Sequence, residues 1–212
     1  MLRVAIVVAA LEPAASAAPA RVDWARGLVI ADGLGIADRH APSPAVARGT
    51  SRRAAEDAAK RDLAAALPTL PLAAGGTVGA KLGDPAVKAR LDRAVAAAFA
   101  IAAEPETDGA WHVTLAVPIE AVRQALTGPR ALGAAGDKGD AVVVVTGANA
   151  KPAVGWTIAG HSAATIWLAE PPAWAKAAPK VTGKVGAPGD LQLSAGSNAT
   201  DATLFVVIGS PP

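Results

Sequence analysis

The sequence predicts an α+β fold, in which a small sheet has helices packed on one face and a β-rich C-terminal part follows. Residues 50–67 repeat apolar side chains at three- and four-residue steps, as an amphipathic helix does. Residues 111–117 alternate apolar and polar side chains, as a half-buried strand does. From Asp140 onward β-branched runs replace the helical periodicity. We therefore divide the chain into a signal peptide (1–20), an α+β domain (21–127), a linker (128–139) and a β-rich domain or extension (140–212).

The most clearly patterned element is the helix predicted over Thr50–Leu67. Thr50 or Ser51 can cap its start, and Pro68 prevents its continuation. Because its apolar stripe is mostly alanine, a sheet can approach this helix closely. The stripe consists of Ala55, Ala58, Ala59, Leu63, Ala66 and Leu67.

A strand is predicted upstream, within Gly27–Asp38. Its even positions are apolar apart from Asp32, and they are Leu28, Ile30, Leu34 and Ile36. Glycine weakens strand interiors, so Gly33 and Gly35 are expected to introduce a bulge or bend. Residues 40–48 contain two prolines and are predicted to be a linker into the long helix.

A second helix, a hairpin and a third helix complete the first domain. Residues 69–83 are predicted to be a loop or a short hairpin, after which Asp84 and Pro85 begin a helix to about Ala97. Residues 99–103 and 111–117 alternate on either side of an Asp108-Gly109 turn. Residues 119–126 then form a short helix. The apolar stripe of the second helix is Val87, Leu91, Val95 and Phe99.

The C-terminal part contains three β-branched runs, at residues 141–146, 163–169 and 203–208. The proline-punctuated residues 171–188 are predicted to be a long surface loop. Trp156, Trp167 and Trp174 either fill a thin core or lie along a groove. We therefore take these three tryptophans as a candidate binding surface for a glycan or a peptide.

The N-terminus has the pattern of an export signal. Arg3 precedes an apolar run from Val4 to Leu11, and small-x-small cleavage sites follow at 15–17 and 18–20. A buried N-terminal strand is the alternative, which Glu12 favours. The run is shorter than the ~20 residues that span a bilayer, so no transmembrane anchor is expected. The expected location is periplasmic or secreted.

Composition excludes several classes of protein. The chain has no cysteine, so it has neither disulfides, nor a thiolate site, nor the cysteine that carries a lipoprotein's lipid. Its net charge is +2, and no basic cluster is interleaved with aromatic residues. Nucleic acid is therefore not expected as the main partner.

No motif supports catalysis or a cofactor. Gly160-His161-Ser162 suggests a nucleophile elbow, but the second residue after the serine is Ala164 instead of glycine. The glycines of residues 75–83 lack the Gly-Lys-Ser/Thr of a phosphate loop, and Gly33 and Gly35 lack a third fingerprint glycine. The histidines, His40, His112 and His161, are too far apart in sequence to form a zinc motif. We expect no enzyme, no cofactor and no metal, with a Ser162–His161 hydrolase as a remote alternative.

The order of motifs resembles a bacterial envelope family that includes a twenty-kilodalton outer-membrane lipoprotein and flagellar accessory proteins, among them the N-terminal part of an H-ring protein. The resemblance rests on the glycine-bearing strand 33–37, the alanine-spaced helix 54–63 and the Asp-Gly hairpin leading to Val117-Pro118. Residues 148–153 are similar to a segment that follows this domain in longer members. The resemblance implies a non-catalytic envelope protein that contacts other envelope proteins, in outer-membrane or flagellar assembly. It provides no catalytic residues to transfer.

Overall fold

A computed structural model describes residues 19–128, 142–162, 164–194, 202 and 204–209. These residues form helices and two sheets, which confirms the α+β fold class. Residues 1–18 of the predicted signal peptide and most of the predicted linker lie outside them. The helices are α1 (Pro44–Ala66), α2 (Pro85–Ala96) and α3 (Ile119–Thr127). The strands are β1 (Arg21–Asp23), β2 (Leu28–Gly35), β3 (Phe99–Pro105), β4 (Trp111–Pro118), β5 (Val142–Thr146), β6 (Thr157–Ile158), β7 (His161–Ser162), β8 (Ala164–Leu168), β9 (Lys180–Val185), β10 (Asp190–Leu193) and β11 (Leu204–Ile208).

The first sheet is antiparallel, in the order β1-β2-β4-β3, and α1 packs across its two central strands. The two glycines of β2 allow this close approach. A Cβ on Gly35 would overlap the carbonyl oxygen of Ser51 and lie 2.7 Å from the backbone nitrogen of Ala55. The predicted bulge or bend at the glycines is wrong, because β2 pairs with β4 in unbroken register throughout its length.

The side of β2 that meets the helix is the opposite of the one its sequence suggests. Val29 and Ala31 are buried with the helical residues Ala55 and Ala59, whereas the larger even-numbered residues face the other way. Ile36, just after the strand, is 70% exposed. Where the backbones come closest, at Gly33 and Gly35, a Cβ would overlap backbone atoms of α1, so glycine faces the helix there.

Helix α1 begins earlier than predicted. Ser43 caps it, accepting a hydrogen bond from the Val46 backbone nitrogen at 3.3 Å, and Pro44 is its first residue. Much of the predicted linker is therefore helical. Ser51 is a buried interior residue whose hydroxyl donates to the carbonyl of Gly109 at 2.9 Å, so the helix holds the tip of the β3–β4 hairpin.

Helix α2 and the hairpin confirm their predictions. The Asp84 side chain accepts from the backbone nitrogens of Ala86 and Val87, and Gly109 takes the positive φ of the Asp-Gly turn. Residues 69–83 contain a 3₁₀ turn and a Pro71–Thr77 bridge, as a short hairpin does. Phe99 does not belong to the α2 stripe, because it begins β3.

The second sheet has the order β7-β6-β10-β9-β5-β11-β8. The three β-branched runs form its adjacent strands β5, β11 and β8, which are parallel to one another. The surface loop predicted at residues 171–188 is wrong in part, because this segment contains β9. Strand β9 pairs with β5 on one side and β10 on the other, so distant neighbours make a strand of a polar, proline-flanked sequence.

The fold has two parts, a first part that carries the first sheet (residues 19–128) and a second part that carries the second sheet (from residue 142). Backbone hydrogen bonds join these two parts. The nitrogen of Trp167 donates to the carbonyl of Trp24 at 3.1 Å, across the edge of β8. The nitrogen of Val154 donates to Pro71 at 2.8 Å, and that of Ala73 donates to Val154 at 2.9 Å. Trp24 packs against the cores of both sheets. These contacts hold the two parts in one arrangement.

Candidate functional site

The three tryptophans of the candidate binding surface occupy different environments. Trp156 and Trp167 are each 5% exposed, and their rings pack together with centroids 5.9 Å apart. Trp174 is 60% exposed in a 3₁₀ turn, Ala173–Ala175. A glycan platform needs exposed ring faces, and among these three residues Trp174 alone offers one. Trp156, although almost fully buried, also contributes to the lining of a cleft that is described below.

His161 and Ser162 form the short strand β7 and do not form a nucleophile elbow. The Ser162 hydroxyl oxygen accepts a hydrogen bond from Nη1 of Arg123, and the same Nη1 donates to Thr127. The Arg123 side chain is 3% exposed and makes a paired contact with the Glu120 carboxylate, at 2.7 and 2.6 Å. Ser162 thus helps to hold a buried guanidinium that links α3 to the second sheet.

A cleft of about 980 Å³ lies between the two parts. The first part contributes Trp24, Leu70 and Leu72, and the second contributes Trp156 and Lys151. The indole Nε1 of Trp156 donates to the carbonyl of Lys151 at 3.2 Å, which fixes the ring against the loop. Sequence reasoning did not find this cleft, because its walls are more than 70 residues apart in the chain.

Strand β3 is a second candidate surface, at the edge of the first sheet. All seven of its residues are exposed, including Phe99 at 44% and Ile101 at 42%. The alternation of Phe99, Ile101 and Ala103 therefore predicts the strand but not its burial. The reason is position: β3 pairs with β4 at the end of the sheet, while α1 packs on β2 and β4.

The face of the first sheet opposite α1 carries a polar network around Asp32. The Arg21 Nη1 donates to Asp32 Oδ2 at 2.7 Å, and the Thr114 hydroxyl donates to Oδ1 at 2.6 Å. Burial alone would raise the pKa of the Asp32 carboxyl. The hydrogen bonds from Thr114 and Arg21, with the charges of Arg21 and His112, outweigh burial and hold that pKa below its usual 3.8. The apparent exception in the strand pattern is thus a paired carboxylate.

The described residues were also compared with the requirements of a metal site and of a membrane-spanning helix. His112 is exposed, with its Nε2 3.4 Å from Glu106 Oε1. No group of three or more His, Asp or Glu residues within the described ranges could hold a metal ion. None of the helices there has the length and hydropathy needed to cross a bilayer. Asp137 and Asp140, which flank a lysine in a glycine-rich segment and whose sequence favours a solvated turn over a metal site, lie outside the described residues.

The chain matches no protein-family model, and no curated protein matches it.

Proposed function

We propose that this protein is an exported, non-catalytic cell-envelope protein that acts by binding another protein, and that the partner binds at β3. The observation that carries the binding proposal is the exposure of all seven residues of β3. Export is supported by the pattern of Arg3 followed by the apolar run Val4–Leu11. The resemblance to envelope proteins indicates a partner in outer-membrane or flagellar assembly.

The chemistry of β3 supports binding by strand addition. An edge strand has backbone donors and acceptors along its free side, and an extended segment of another protein can pair with them. A β-bulge between Ala100 and Ala102 leaves Ile101 outside the ladder with β4. Phe99 and Ile101 add apolar surface, whereas Glu104 and Pro105 limit pairing at the far end. The partner is therefore expected to pair with β3 on either side of this bulge and to cover Phe99 and Ile101 with apolar side chains.

The test uses the full chain in its own cells, with a matched control on a different element. Val46 on α1 is 44% exposed and Ile101 is 42% exposed, so Val46→Glu and Ile101→Glu place the same charge at sites of similar exposure. Cell fractionation with N-terminal sequencing first checks export. Cross-linking within the envelope fraction then measures partner capture. We expect Ile101→Glu to reduce capture about tenfold, through the unpaired charge at the interface, and Val46→Glu to leave it unchanged.

Both variants should keep the melting temperature of the parent chain, because exposed substitutions change stability little. Equal capture by the two variants would reject β3 as the binding strand. A cytoplasmic product that begins at Met1 would reject export.

A second candidate function is glycan or peptide binding by the C-terminal tryptophans. The observation in its favour is the exposed indole of Trp174, since aromatic side chains can pack on ligand faces. It ranks second because Trp156 and Trp167 use their rings to pack against each other.

A further inference from the structure

The cleft between the two sheets has the size and construction of a small-molecule site. Its volume of about 980 Å³ is at the upper end of the range that ligand pockets occupy. Its two walls are joined by the backbone hydrogen bonds of Val154 to Pro71 and Ala73. The cleft is therefore formed before any ligand arrives, which reduces the entropy cost of binding.

The walls are mainly apolar. Leu70 and Leu72 on one side face the proline- and alanine-rich loop 149–153 on the other, and the indoles of Trp24 and Trp156 complete the lining. Removing hydrocarbon from water into such a lining is favourable in proportion to the area buried. The body of a suitable ligand is therefore apolar.

The charge of the lining is one-sided. Among the described residues that line the cleft, Lys151 is the charged one, and Thr69 and Asn149 are the polar side chains. Lys151 is exposed, so its ammonium group is hydrated and can pair at the rim without being buried. A single cation beside an apolar volume complements a ligand with one anionic group at the end of a hydrocarbon body.

We propose that this cleft binds a fatty acid as a monomer, with the carboxylate at Lys151 and the hydrocarbon along Trp24, Leu72 and the loop 149–153. This site goes beyond the proposed function at β3 and does not depend on it. A glycan fits the cleft less well, because its many hydroxyls would lose water and find few polar side chains. A peptide would leave backbone amide groups unpaired against proline, leucine and tryptophan for the same reason.

The test is titration of the full chain with three twelve-carbon probes below their aggregation concentrations. The probes are dodecanoate, dodecanol and dodecyltrimethylammonium, which differ in head-group charge. Calorimetry measures affinity and stoichiometry, and fluorescence follows the summed signal of the five tryptophans, of which Trp24 and Trp156 line the cleft. We expect saturable one-to-one binding of dodecanoate, weaker binding of dodecanol, and the weakest binding of the cation.

Two variants locate the site. Lys151→Met keeps an unbranched apolar side chain and removes the charge, so it should weaken dodecanoate binding about fivefold and leave dodecanol binding unchanged. Lys184→Met, at an exposed lysine on β9 outside the cleft, is the matched control and should change neither. Ala150→Trp should block all three probes by filling the cleft, and Ala73→Leu should weaken them if the tryptophan variant does not fold.

Several results would overturn the proposal. One such result is that dodecanoate does not bind. Others are that the cationic probe binds as tightly as dodecanoate, or that Lys151→Met and Lys184→Met change dodecanoate affinity equally. Binding to phosphatidylglycerol vesicles without binding of monomeric dodecanoate would also overturn it, since the anionic surface and not the cleft would then be the site. Equal partner capture by Ile101→Glu and Val46→Glu, with intact dodecanoate binding, would reject the proposed function alone.

Discussion

The first sheet meets its helix at glycine and alanine, whereas the second sheet is buried on both faces by larger side chains. In the first, Gly33 and Gly35 bring strand and helix backbones into direct contact. In the second, Val143, Val145 and Phe205 pack on one face, and Val144 and Val206 on the other. One interface is therefore sensitive to added atoms, and the other to removed atoms. The size of a side chain therefore does not by itself show how strongly a substitution there will change the stability of the fold.

The largest effect is expected from removing atoms from the second sheet. Phe205 lies in β11, between β5 and β8, and is fully buried. Phe205→Ala should lower the free energy of unfolding by about 4 kcal/mol, because it loses apolar burial and leaves a cavity. Urea denaturation measures the loss. Val185→Ala, at a 44% exposed position of the same sheet, is the control and should cost less than about 0.5 kcal/mol. Similar losses in both variants would mean that the core is misassigned.

The next effect comes from adding one methyl group to the first sheet. Gly35→Ala should cost about 3 kcal/mol, because the new Cβ meets helix backbone, which cannot move aside as a side chain can. Gly49→Ala, within α1 with nothing within 4 Å, should instead stabilise the protein by about 0.5–1 kcal/mol through helix propensity. Thermal unfolding compares the two variants. If both shift the melting temperature in the same direction, the close contact does not exist.

The smallest effect is electrostatic and lies on the face of the first sheet opposite α1. The pKa of Asp32 is lowered in the folded protein, so its pairing adds stability above its unfolded pKa of about 3.8. That stability is lost as the pH falls through the folded-state pKa. Because the pair with Arg21 is partly exposed and screened, Asp32→Asn should cost no more than about 1 kcal/mol at pH 7.

Unfolding of the parent chain and of Asp32→Asn, measured from pH 7 down to below 3.8, tests this sign. The difference in stability should shrink as Asp32 is protonated. A difference that stays constant into acid would assign the effect to packing of the carboxyl group and not to its charge.

The sequence by itself determined the elements that depend on local periodicity and capping. Asp84 and Pro85 mark the start of α2, Asp108-Gly109 marks the hairpin turn, and the three β-branched runs mark β5, β8 and β11. These predictions succeeded because the signal lies within a few residues. The early start of α1 was missed because its Ser43 cap lies in a segment whose prolines suggested a linker.

Only the tertiary structure decided which neighbours each element has. It placed Gly33 and Gly35 against a helix and not in a bend, left β3 exposed at the end of a sheet, and made a strand of residues 180–185. It also brought Trp24 and Trp156 together in a cleft and Arg123 to Ser162. Periodicity determines which side chains share a face, but the partner of that face comes from residues far away in the chain. The candidate binding sites depend on those partners.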